Sequence, residues 1–134
     1  MTQQARLIRN YKRIYTTLTM NQPYDLVKID INQLITAFQT HQLAKPLTYV
    51  NDHVLQLSAC HQPDFWHRHP NTDETMLVLE GELLIELIGR SITLLAGQLF
   101  TIPKNMPHKT SPIGERTVKL TFEGSDIDTI KINR

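Results

Sequence analysis

Between residues 47 and 124 the chain strings together seven short runs rich in β-branched and apolar residues. They are LTYV at 47–50, HVLQLSAC at 53–60, TMLVLEG at 75–81, ELLIELIG at 82–89, SITLLAG at 91–97, QLFTIP at 98–103 and TVKLTFEG at 117–124. Asn, Asp, Gly and Pro residues punctuate them, as expected for strands and turns. Seven strands in fewer than eighty residues leave almost no room for the crossover helices that parallel strands require. The pairing should therefore be antiparallel, and the product an all-β sandwich or barrel. Glu80-Gly81-Glu82, between two strongly apolar runs, reads as a tight turn in which Gly81 supplies a positive φ.

Upstream of this block the pattern changes. LVKI at 26–29 reads as a short strand, and Asp30 follows as a helix N-cap with Gln33 three residues on, in the capping-box position. Ile31, Leu34, Ile35 and Phe38 recur at helical spacing, so one face of that helix should lie on the sheet while Gln33, Thr36, Gln39 and Thr40 face water. Leu7, Ile8, Tyr11, Ile14, Tyr15 and Leu18 give the first twenty residues a rough helical period interleaved with basic side chains. That segment superficially resembles a transit peptide, but we read it as an extension upstream of the domain, with Met20 as the natural start. The expected organisation is a basic extension over 1–22, a short strand and amphipathic helix over 23–46, and a barrel over 47–134. With 134 residues in all, one domain is expected.

Charge excludes some partners. The formal net charge is +1, too small for bulk attraction to nucleic acid or a membrane. Arg6, Arg9, Lys12 and Arg13 stand in an acid-free N-terminal stretch, which leaves residues 21–134 with ten basic and thirteen acidic side chains, a net −3. Neither nucleic acid nor a membrane is expected as a partner. The single cysteine, Cys60, cannot form an intramolecular disulfide, and a reducing cytoplasm is the natural reading. Cys60 itself reads as a small buried hydrophobe at a strand end.

The chemistry-bearing stretch is FWHRHPNTDETMLVLEG at 65–81. Side chains two apart on a strand point to one face, so His67 and His69 can present both imidazoles to one point. The intervening PNTD reads as a turn, after which Glu74 can bring a carboxylate back beside the rings. By the same parity Phe65 accompanies His67, and Met76 and Val78 accompany Glu74, as an apolar pocket wall for a small molecule. Trp66 and Arg68 should face the other way. A fourth ligand must come from elsewhere in the chain.

After Gly97, the run QLFTIPKNMPH brings a strand to an end at Pro103, turns at Lys104-Asn105 and returns with His108. Here the chain resembles the cupin superfamily, specifically its small single-domain members. The family's first motif, G-x5-H-x-H-x(3,4)-E-x6-G, is met by His67, His69, Glu74 and Gly81, with His61 in place of the leading Gly. The second, G-x5-P-x-G-x2-H-x3-N, is met by Gly97, Pro103 and His108, with Asn105 in place of Gly and Pro112 in place of Asn. Asn is among the residues best able to replace Gly at positive φ. Fifteen residues, 82–96, separate the motifs, about the shortest spacing the family uses.

The resemblance, covering about residues 47–122, implies an antiparallel double-stranded β-helix, the jelly-roll barrel of the cupins. It also implies a divalent metal held by His67, His69, Glu74 and His108. That donor set suits Fe2+, Mn2+, Ni2+, Zn2+ or Cu2+ and leaves positions open for a substrate. Such proteins include oxygenases and isomerases acting on small oxygen-rich molecules, and also non-enzymatic modules that bind or sense a small ligand. Small cupins commonly pair through edge strands, so a homodimer is expected. His41, His53 and His61 match no ligand position and read as solvated or locally satisfied side chains, and Glu80, Glu82 and Glu86 as surface charges.

Overall fold

The computed structural model describes residues 26–37 and 43–134. The expected N-terminal helix and the positions of Phe38, Gln39, Thr40 and His41 lie outside the described residues. The elements are α1 (Ile31–Ala37), β1 (Leu43–Val50), β2 (His53–Cys60), β3 (His67–Arg68), β4 (Glu74–Leu87), β5 (Arg90–Leu95), β6 (Leu99–Ile102), β7 (His108–Gly124) and β8 (Ile130–Lys131). All the pairings among them are antiparallel.

Two long strands organise the barrel. β4 and β7 pair along their whole length, from Glu74↔Glu123 at one end to Leu87↔His108 at the other. Near the first end, β7 continues into β2 and β1 while β4 continues into β6. Near the other end, β7 pairs with β3 and thence β8, and β4 pairs with β5. Because β4 and β7 run from one sheet into the other, the result is a double-stranded β-helix.

The sequence places a turn at Glu80-Gly81-Glu82, and the structure does not. β4 runs through the glycine because it stays paired with β7 on both sides of it, its buried positions switching from Glu74, Met76 and Val78 to Leu83 and Ile85 across the irregularity. The positive φ of Gly81, +78°, is used instead at a bulge, where the pairing shifts between Val78 and Glu80 and again between Glu80 and Glu82. A Cβ on Gly81 would lie 2.5 Å from the Arg116 carbonyl oxygen, so close backbone approach is the second reason for glycine there. The hairpin between β1 and β2 is closed by Asn51-Asp52, with Asn51 at φ 54°.

The expected strand at 26–29 is also absent. Leu26 has φ 41°, residues 26–30 pair with no strand, and Leu26 and Val27 are exposed, so an apolar run without a partner strand stays irregular. The helix after it forms as read. Asp30 Oδ1 accepts the Gln33 backbone N–H at 3.1 Å, and Gln33 and Thr36 are exposed.

Both faces of the sheet carrying β1 and β2 are covered. On the outer face Leu47, Leu57, Ala59 and Val118 form a buried cluster under Ile31, Leu34 and Ile35 of α1. The Arg116 guanidinium donates to the Ile35 carbonyl at 3.1 Å and satisfies one end of that helix. The inner face joins the barrel core, Met76, Val78, Leu83, Ile85, Leu94 and Ile102. No helix among the described residues is long and apolar enough to cross a membrane.

Candidate metal centre

His67 lies in β3, His69 just beyond it, and Glu74 and His108 are the first residues of β4 and β7. The register explains why these four meet. His67 and His108 are cross-strand partners, with ring centroids 4.2 Å apart, and the His69 ring lies 4.9 Å from His67 and 5.3 Å from His108. One ring nitrogen from each histidine falls within 4.8 Å of the others. Glu74 Oε1 is 3.7 Å from His69 Nε2 and 3.5 Å from His108 Nε2. All four residues are buried.

The intervening turn is tied down at several points. Asn71 donates to the Asp126 carbonyl at 2.8 Å and accepts from the Asp128 backbone N–H at 3.0 Å. Thr72 Oγ1 accepts from Gly124 N–H at 2.9 Å, and Asp73 Oδ1 accepts from Lys104 N–H at 2.7 Å. Asn105, at φ 70°, donates its N–H to the His69 carbonyl at 2.6 Å and accepts from the Arg68 guanidinium. Arg68 thus points away from the rings, as parity requires, and clamps the turn before β7.

The orientation of each imidazole follows from its other nitrogen. His67 Nδ1 meets the Phe65 carbonyl at 2.6 Å, His69 Nδ1 the Asp128 carbonyl at 2.9 Å, and His108 Nδ1 the Met106 carbonyl at 2.9 Å. A carbonyl can only accept, so each Nδ1 carries a proton, which leaves Nε2 as the nitrogen whose lone pair each ring can offer to a metal. The Nε2 atoms of His69 and His108 and Oε1 of Glu74 are buried and have no hydrogen-bond partner among the described residues. Buried acceptors left bare in this way are costly unless something electron-poor sits among them. The residues present therefore fit a divalent cation.

Electrostatics agree. Burial alone would raise the Glu74 pKa, yet the histidines, Glu123 and Lys119 together hold it well below the ordinary carboxylate range, so it is an anion. Burial depresses the His67 pKa, helped by its histidine neighbours, against the Phe65 carbonyl. Burial acts the same way on His69, but the Glu74 carboxylate, the Asp128 carbonyl and Asp64 together outweigh it and the net shift is upward. Glu123, the cross-strand partner of Glu74, is driven well above its usual range by burial and by the Glu74 charge.

Of the expected pocket wall, Met76 and Val78 follow Glu74 on the inner face and are fully buried. Phe65 differs: it is half exposed, its ring edge-on to His67 with centroids 5.5 Å apart and the Lys131 ammonium 5.5 Å above it. The chain before His67 is not a strand, so two-residue parity does not carry back to Phe65. Trp66 lies under the Arg134 guanidinium at 4.7 Å, and His61 bonds the Glu115 carbonyl. Sequence reasoning missed Asp64, whose carboxylate accepts from Thr110 N–H at 2.8 Å and from the Thr110 hydroxyl at 2.9 Å, fastening the approach to His67 onto β7. It also missed Gln56, Lys119 and Glu123, three polar residues buried on the inner face.

Comparison with known proteins supplies the family. The cupin domain model matches residues 55–122, half of the chain, and spans His67, His69, Glu74 and His108. The chain belongs to the cupin family. This cupin is 38% identical over 87 residues to YdbB of Bacillus subtilis (strain 168), an uncharacterized protein, across 64% of this chain and 76% of that one. It is 33% identical over 61 residues to a Streptomyces cyaneus protein named polyketide synthase CurC, across 46% of this chain and 40% of that one. Among solved structures, a cupin-2 domain protein of Shewanella frigidimarina superposes with a TM-score of 0.63 at 30% identity, covering 71% of this cupin and 91% of its own chain.

Proposed function

We propose that this cupin is a metal-dependent enzyme of the oxygenase or isomerase class, acting on a small oxygen-rich molecule inside the barrel. The observation that carries the proposal is the cluster of three imidazoles, each held by a backbone carbonyl at Nδ1, two of which bring Nε2 within 3.7 Å of an anionic carboxylate. His67, His69, His108 and Glu74 would hold the ion. A divalent ion bound there supplies Lewis acidity toward a carbonyl or enolate oxygen and, if redox-active, electron transfer. The protein's own part is to hold the rings in one tautomer, keep Glu74 ionised and exclude bulk water with the wall of Met76, Val78 and Ile102. The polyketide synthase name of the Streptomyces relative supports an enolisable, oxygen-rich substrate.

The test is elemental analysis of protein purified without added metal. It is followed by oxygen-uptake and isomerisation assays on diketones, catechols and enediols. Iron, manganese, nickel or copper with oxygen uptake establishes the oxygenase, and isomerisation without oxygen uptake the isomerase. Tightly bound zinc with ligand binding but no turnover transfers the reading to a binding or sensing module. Protein that takes up no metal overturns the proposal.

A further inference from the structure

The inner face of the barrel carries polar residues that neither fold nor metal ligation accounts for. Cross-strand pairing sets three rows on that face: Ser58, Lys119 and Val78, then Gln56, Thr121 and Met76, then Val54, Glu123 and Glu74. The rows lie two residues apart, about 7 Å per step, so the middle row sits directly beside the one holding Glu74. Gln56 is 1% exposed and Lys119 8%. These are unusual residues to find in the interior of a small domain.

Their hydrogen bonding is incomplete. Gln56 Oε1 is buried without a partner. The Lys119 ammonium reaches Met76 Sδ at 4.0 Å, and a thioether is a weak acceptor. Glu74, the nearby anion, is already turned to His69 and His108. A buried ammonium without a contacting anion is strongly unfavourable. Lys119 leans out of its own row to the thioether of the middle row, which places its charge beside Gln56 and Thr121 and near the metal centre.

We infer that Lys119, with Gln56 and Thr121, forms a recognition site for an anionic oxygen of the substrate, a carboxylate or an enolate, held beside the histidine cluster. This rests on the reading that a small molecule occupies the barrel. Lys119 donates to the anionic oxygen, and Gln56 Oε1 accepts from a hydroxyl or N–H next to it, so the two select an anion flanked by a donor. Met76, across Thr121 from Gln56 in the same row, supplies apolar contact to the neighbouring carbons. A purely electrostatic role, with Lys119 as counter-charge to Glu74 and Glu123, leaves Gln56 Oε1 unexplained.

The experiment is isothermal titration of the protein as purified with malonate and hydroxymalonate as carboxylates, acetylacetonate as an enolate and 2,4-pentanediol as a neutral match. Wild type, Lys119→Met and Gln56→Leu are compared, with bound metal and melting temperature measured on each. Wild type should prefer one of the anions to the diol, and whichever it prefers identifies the source of the charge. Lys119→Met should weaken that anion roughly 30-fold while metal content and melting temperature hold. Gln56→Leu should lose the preference for hydroxymalonate over malonate. Anion binding unchanged in Lys119→Met overturns the proposal. So does loss of metal or of the fold in that variant, because Lys119 is then a structural counter-charge. Wild type that takes up no metal yet still shows the Lys119-dependent preference refutes the metal-enzyme reading alone.

Discussion

Glu74 and Glu123 face each other as cross-strand partners where β4 begins and β7 ends, and both carboxyl groups are buried. Two such groups cannot both ionise at low cost, and the environment separates them. His108, His69 and a hydrogen bond from Glu123 keep Glu74 charged, Lys119 contributing least, while burial and the Glu74 charge keep the proton on Glu123.

This asymmetry sets the pH dependence of the metal-free protein. The folded Glu123 pKa is raised, so the native state holds a proton that the unfolded chain releases above its own carboxyl range. Stability from this group is present at low pH and lost as pH rises toward the folded pKa. Glu74 is depressed and acts oppositely, its contribution being lost as pH falls. Glu123→Gln, which keeps an uncharged side chain of the same shape, should flatten the alkaline decline. Thermal melts of metal-free wild type and variant from about pH 5 to about pH 8 measure this, and identical slopes sink the idea.

The histidine centre predicts a metal-linked stability. A ligand that binds only the native state at 100 times its dissociation constant adds about 2.7 kcal/mol. Adding the native metal to chelator-treated wild type should therefore raise the melting temperature, and in His108→Ala that increment should vanish. His108 is fully buried and at the strand junction, so the variant's baseline will also fall. The increment, not the baseline, is the quantity to compare. An unchanged increment in His108→Ala removes this residue from the ligand set.

How much of this was legible beforehand depended on periodicity. His67 and His69 share a face because strands repeat every two residues, and the turn that returns Glu74 is written in its Pro, Asn and Asp. The same rule puts Met76 and Val78 on the buried face with Glu74, and does not reach Phe65, which is half exposed where the strand has not begun. Lys119 and Glu123 were hidden by their chemistry. In TVKLTFEG alternation groups Lys119, Thr121 and Glu123 on one face, but polar residues ordinarily mark the wet side of a sheet. Here the barrel encloses the face that carries them, so the polar side is the buried one, while α1 covers only the Val118 and Leu120 end of the other face and Phe122 is exposed. Gly81 misled because a glycine between apolar runs serves a turn or a bulge equally well. Only the long partner strand β7 decides between them.

Gly81 and Gly89 form a natural contrast. Both have positive φ, +78° and +82°, so alanine is strained at either, by about 1 kcal/mol. At Gly89 an added Cβ meets nothing within 4 Å, whereas at Gly81 it meets the Arg116 carbonyl. Gly81→Ala must also push β4 and β7 apart at the bulge and should cost about 2 kcal/mol or more beyond Gly89→Ala. Urea unfolding of the two variants gives the difference, and equal midpoints would show that the bulge yields freely.

Asp64 offers a test of positioning as distinct from ligation. Its carboxylate holds Thr110 through both backbone N–H and hydroxyl, its own N–H donates to the Thr110 carbonyl at 3.0 Å, and His67 pairs with His108 two residues before Thr110. Asp64→Ala leaves every inward nitrogen in place but loosens the segment that delivers His67 to the cluster. Metal affinity should drop about 10- to 100-fold, the range for groups that orient ligands, with a stability loss of about 1 kcal/mol because the carboxylate is partly exposed. Asp64→Asn retains an acceptor for one of the two Thr110 donors and should recover part of the affinity. Competition with a chromogenic chelator measures all three proteins on one scale. Wild-type affinity in Asp64→Ala would mean that β3 is set by its pairing with β7 and β8 alone, and that the Asp64 clamp contributes nothing to the centre.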